Sequence, residues 1–170
     1  VFRVRQKDPE AIRNALRLIQ DRKVKRDERV RFIEVLGEIH PAAALEGILA
    51  VAGAEPDAAV RMAALNALVG YDDARIPESV LRDFKSVPAE VRPAALTLLN
   101  SRLAWARSLV EAVDAGRFPA GLVSRETARR FQVHDDKKLN ELVARHWPEA
   151  GKPASSVTRS QVERLRQVIR

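Results

Sequence analysis

The chain contains no cysteine. That absence removes disulfides, thiolate metal sites, cysteine nucleophiles and covalent haem attachment from its 170 residues. Aromatic residues are scarce, at 5%, with two tryptophans and one tyrosine. A core must therefore be built from the 46% hydrophobic residues, which are mostly Ala, Leu and Val and suit closely packed helices. No apolar run reaches membrane-spanning length, and there is no signal-like start. Also missing are HExxH, a phosphate loop, GxGxxG and any Ser/His/Asp set, so none of the familiar catalytic frameworks can be assembled from sequence.

What is present is charge, unevenly spread. The net charge is +7. Residues 1–31 carry 11 basic and 5 acidic side chains, residues 32–124 carry 8 and 12, and residues 125–170 carry 11 and 6. Basic ends thus flank an acidic middle. A repeat protein that wraps nucleic acid needs a continuous basic surface, so this distribution disfavours a long electrostatic track.

The clearest stretch runs from Asp57 to Gly70. Val60, Ala64, Ala67 and Leu68 fall on one helical face, and Met62, Leu65 and Val69 on a second. A helix apolar on two sides packs in more than one direction. Asp57 is a natural N-cap and Gly70 a natural stop. The Val60-Arg61 pair has counterparts at Val30-Arg31 and Val91-Arg92. A Val-Arg helix returning about every 30 residues predicts stacked helical hairpins, an α-solenoid.

The rest of the chain follows that reading. Asp8-Pro9-Glu10 opens a helix striped by Ile12, Leu16 and Ile19. Arg22-Lys23-Val24-Lys25-Arg26 is a loop. Asp27 to Ile39 is the partner helix, and Pro41 starts the next. Pro77 opens a short helix, and Pro93 places another start near Ala89 or Glu90. Leu103 to Ala115 follows with Trp105, Leu109, Ala112 and Val113 inward. A Gly/Pro-rich loop then leads to short helices from Ser124 and from Asp136. In total the pattern predicts an all-α fold of about ten helices and no sheet. Repeats occupy residues 1–115 and irregular helices 116–147. Residues 148–157 read as a linker, and Thr158-Arg-Ser-Gln161 as the capping box of a terminal helix over 158–170.

Candidate sites weigh toward structure. Asp27 and Arg31, and Asp57 and Arg61, are each four apart on one helix face, which predicts structural pairs within the helix or an inter-repeat ladder, the alternative being an arginine row that grips a ligand. Arg92 has Pro88 where that acid would be, so it is the least explained of the row. The run Arg22, Lys23, Lys25 and Arg26 is a solvated helix end or a contact for phosphate or an acidic partner. His134 stands near Asp135 and Asp136, but adjacent turn residues rarely converge on one ion, and capping explains the aspartates. His40 and His146 have no ligand-like neighbours in sequence. Trp105 and Trp147 keep helical spacing with Leu or Val and belong to the core. No catalytic, cofactor-binding or metal-binding residue is expected.

The repeats resemble HEAT-like repeats of the short bacterial type, whose inner helix reads Asp-x-x-Val-Arg-x-x-Ala-x-x-x-Leu. Asp57 to Leu68 matches best, then Val91 to Leu99, and Asp27 to Leu36 more loosely; the similarity covers about residues 8–115. Farther on, Ala144-Arg-His-Trp147, a Pro/Gly-containing linker and a basic helix resemble a stretch in membrane-bound dehydrogenases of Planctomycetes-type bacteria, with Pro148 where a glycine is usual. In that family a sugar-dehydrogenase-like propeller precedes the helical segment and a c-type haem domain with CxxCH follows it. The resemblance implies an exported, multidomain protein of which this chain is a piece. It implies a non-catalytic scaffold without its own cofactor or membrane insertion, contacting neighbouring domains or another protein. The competing expectation is a nucleic-acid module like the HEAT-like DNA glycosylases, with Asp72, Asp73, Trp105 and Arg107 as its candidate residues.

Overall fold

The computed structural model describes residues 1–151. Every regular element among them is helical. There are ten α-helices: α1 Phe2–Arg5, α2 Pro9–Gln20, α3 Arg26–Ile39, α4 Leu45–Ala54, α5 Ala58–Leu68, α6 Arg75–Asp83, α7 Arg92–Asn100, α8 Leu103–Asp114, α9 Arg125–Phe131 and α10 Lys137–His146. The all-α class and the helix number agree with the sequence pattern. The expected helix over 158–170 and most of the expected linker lie outside the described residues. Of that linker, Pro148–Gly151 forms a 3-10 turn with Ala150 buried.

The chain divides into two compact units, the first Val1–Leu109 and the second beginning at Val110. In the first unit α3, α5 and α7 form one row and α2, α4 and α6 another. The buried residues explain the packing. Ile33, Val35 and Leu36 of α3, Leu65, Ala67 and Leu68 of α5, and Leu96, Leu98 and Leu99 of α7 are all buried. Their positions recur after 32 and then 31 residues. The buried pattern thus recurs, but its first copy is offset by two from the Val-Arg alignment. Arg29, not Arg31, is the counterpart of Arg61 and Arg92.

Local signals set the ends. Asp8 accepts from the amides of Glu10 and Ala11, and Asp57 from those of Ala59 and Val60. Each satisfies donors that a helix start leaves open. The start of α7 falls later than the sequence suggests, at Arg92, which puts Pro93 in the first turn where its missing N–H costs nothing. Gly70 also differs from expectation. It does not adopt the left-handed conformation of a helix stop; among described glycines only Gly116 has positive φ. A Cβ on Gly70 would lie 1.5 Å from His40 Nε2, so glycine is there to admit the His40 ring. The left-handed residue is His40 itself, which ends α3 with φ 46° and meets Tyr71 edge-on at 5.4 Å. Gly37 lets α3 approach α5, since its Cβ would stand 2.8 Å from Ala67 Cα.

The second unit is smaller and irregular. Ser124 caps α9 and Asp136 caps α10 through backbone amides. Phe118, Phe131 and Trp147 are buried in it, and the Trp147 indole N–H donates to the Ala120 carbonyl at 3.2 Å. No described helix is long and apolar enough to cross a membrane.

Candidate functional site

The feature that organises the first unit is a row of arginines at the corners between helices. Arg61 is 4% exposed. Its Nε donates to Ala52 O at 2.7 Å and its Nη2 to Gly53 O at 2.7 Å, the open carbonyls at the end of α4. Its Nη1 reaches forward to Ser86 O, at 3.3 Å in the next corner. Arg29 repeats the arrangement one copy earlier. Two of its nitrogens donate to Ile19 O near the end of α2, at 2.9 and 2.7 Å, and Nη2 also reaches forward to Glu55. Arg92 donates to Val87 O at 3.1 Å and is half-buried. A planar fork with five donors in fixed directions can satisfy carbonyls of two successive corners at once, a geometry that the single ammonium of lysine does not match.

This geometry corrects the intrahelical pairing. Asp57 is engaged with its own helix amides, and Arg61 with carbonyls of α4, so the two do not form an ion pair. Asp27 lies beside Arg26 at 3.3 Å, and Arg31 is exposed. The reason is burial. Satisfying carbonyls inside the protein outweighs an exposed i,i+4 pair worth a few tenths of a kcal/mol. Sequence reading missed Arg29 and Glu55. The signal for Arg29 was an arginine followed at four, six and seven residues by apolar side chains, which occurs at 29, 61 and 92.

Glu55 is the acid of a buried ion pair, 5% exposed. Burial alone raises its carboxyl pKa. The hydrogen bonds from Arg29 and the Asp57 amide outweigh that and hold it below the usual carboxylate range. Arg61 is moved down from the usual arginine value by burial, with Asp83 and Glu55 opposing the shift.

On the other row, α4 and α6 border an open groove of about 580 Å³. Glu46, Gly53, Arg75, Glu78, Arg82 and Asp83 line it. Its arginines are already engaged, Arg75 with Asp73 and Glu46, and Arg82 with Asp83. The Arg75 hydrogen bonds bring the Asp73 carboxyl down to about 2.

The remaining candidates take structural places. Trp105 is buried, and the Arg102 guanidinium covers its ring at 5.0 Å from the centroid. Asp72 lies 4.0 Å from Arg102, and Arg107 is half-buried. His146 meets Asp114 at 2.8 Å, and Arg145 meets the same oxygen at 2.9 Å. These hydrogen bonds, His146 first, lower the Asp114 carboxyl pKa. His134 is half-buried in the 3-10 turn before α10. Among the described residues no three His, Asp or Glu side chains are grouped to hold a metal ion. Arg22, Lys23, Lys25 and Arg26 are all exposed at the first corner, with Arg22 near Ala54 O at 3.5 Å. Comparison with family models, with curated proteins and with solved structures gives no match.

Proposed function

We propose that the chain is a non-catalytic scaffold of HEAT-like hairpins that docks neighbouring domains of its own polypeptide or another protein. The observation that carries this is the inward turn of the arginine row. Arg29 and Arg61 spend their donors on carbonyls and on Glu55, so the most regular cations of the chain serve the stack and not a ligand. The mixed charge of the α4/α6 groove is also in keeping with a protein contact. A phosphate backbone there would meet Glu46, Glu78 and Asp83. On the resemblance to the dehydrogenase segment, such a scaffold would lie between a propeller and a haem domain. Coding sequence for CxxCH soon after Arg170 would support that context, and its absence would remove it.

The nucleic-acid alternative is less favoured because the Trp105 ring is already covered by Arg102. Two assays on the purified chain test the scaffold reading. Fluorescence anisotropy with duplex DNA at low salt should show no binding, and dye-linked oxidation of sugars should show no turnover. Either activity overturns it.

A further inference from the structure

The first two corners of the repeat invite direct comparison, because the 32-residue offset aligns them residue by residue. Glu55-Pro56-Asp57 of the second corner corresponds to Lys23-Val24-Lys25 of the first. Both acids become lysines. In the second corner the acids are fully used: Glu55 pairs with Arg29 and accepts the Asp57 amide, while Asp57 caps α5. In the first corner the Lys23 and Lys25 side chains are exposed and have no ion-pair or hydrogen-bond partner among the described residues. The helix start at Lys25 has no side-chain cap. Arg22 and Arg26 flank the pair, both exposed, Arg26 beside Asp27 at 3.3 Å and Arg22 3.5 Å from the Ala54 carbonyl.

This inversion costs stability. Asp27 and Glu28 in the first turn of α3 offset the macrodipole, but lysine at the cap cannot accept the amides that aspartate would. Residues that break a local rule at an exposed site, without a compensating contact inside the molecule, point to a contact outside it. The surrounding charge defines that contact. Residues 1–31 carry 11 basic and 5 acidic side chains, whereas residues 32–109 carry 7 basic and 10 acidic. A long phosphate backbone leaving this corner would meet a part of the chain in which acids outnumber bases. A short acidic segment would not.

We propose that the corner formed by Arg22, Lys23, Lys25 and Arg26 is a docking surface for an acidic polypeptide segment. This rests on the scaffold reading and adds the surface and the chemistry of its partner.

The test uses the 170-residue chain and two labelled probes, a deca-glutamate peptide and a 20-base-pair DNA duplex, titrated at about 50 mM salt. The variant Lys23→Glu/Lys25→Asp copies the second corner into the first. We expect the peptide to bind the parent, to weaken as salt rises, and to bind the variant at least tenfold more weakly. The variant should also melt about 2–4 °C higher through its restored cap. Loss of binding together with a gain in stability cannot be ascribed to misfolding. Unchanged peptide binding in a stabilised variant overturns the proposal. Silence toward both probes overturns it and leaves the scaffold reading standing. Tighter binding of the duplex overturns both.

Discussion

The two units hold their helices by different means. In the first, three charged side chains are driven inside and satisfied there: Arg29, Glu55 and Arg61 are buried, each tied to helix ends or to another. In the second, Phe118, Phe131 and Trp147 fill the interior, one half-buried arginine, Arg129, donates to the Ala150 carbonyl at 2.9 Å, and other charges stay outside in pairs such as Lys138–Glu111 and Arg145–Asp114. The difference follows from architecture. Stacked short helices bring many carbonyl ends to each corner, and those ends require donors. A single irregular cluster has fewer such ends and relies on large apolar side chains.

Each unit contains one tryptophan, Trp105 in the first and Trp147 in the second, so fluorescence can follow them separately in Trp105→Phe and Trp147→Phe backgrounds. The largest expected effect is Arg61→Met. It leaves the Ala52 and Gly53 carbonyls without donors and should cost the first unit about 3–5 kcal/mol, read by urea unfolding of Trp105. A loss below about 1 kcal/mol would place the corner arginines with ordinary surface charges and erase the contrast. In the second unit Trp147→Ala should cost about 3–5 kcal/mol by emptying the aromatic core, and Trp147→Phe distinctly less. Circular dichroism reports both. Gly37→Ala should cost the first unit about 1–3 kcal/mol, because the new methyl meets the Ala67 backbone and overpacks the α3/α5 contact. The gain in helix propensity of up to about 1 kcal/mol only partly offsets this.

Acid sharpens the contrast next. The folded Glu55 carboxyl titrates below its unfolded value. Its contribution is whole above about pH 4.3 and is lost as pH falls through the folded value. Melting of the first unit should fall as the pH drops below about 4.3, and Glu55→Gln should flatten that dependence while lowering stability at pH 7. An equally steep fall in the Gln variant would assign the effect to other carboxylates. The smallest effect belongs to Lys138→Ala. That exposed pair should contribute less than about 1 kcal/mol and fade with salt.

Much of the fold was legible because its signals are local. Asp8, Asp57, Ser124 and Asp136 announce helix starts within three residues of their partners, and the tryptophans sit at core spacing. The period was legible too, though its phase was not. Val30-Arg31 looks like Val60-Arg61, yet the first corner differs from the second at the cap, so the resemblance of two letters overrode the position of the buried stripe. Glu55 was hidden for another reason. Glu-Pro-Asp reads as a solvated turn, and only the stacking of the next helix closes it from water around Arg29. Arg22 to Arg26 could be seen as a basic run, but its contrast with the second corner needs the correct phase. The use of Gly70 was illegible because the His40 ring it admits comes from 30 residues away.

The forward reach of the corner arginines gives the two helix rows of the first unit a direction. Arg29 leans on the corner after it, Arg61 does the same, and Arg92 keeps only its bond to Val87. An array wired this way can gain or lose whole periods of 31 or 32 residues and still present each guanidinium with a receiving corner. A deletion of any other length shifts a fork away from its acceptors and strands a cation in the interior. Length variation among related chains should therefore come in whole repeats within the first unit and in arbitrary steps within the second.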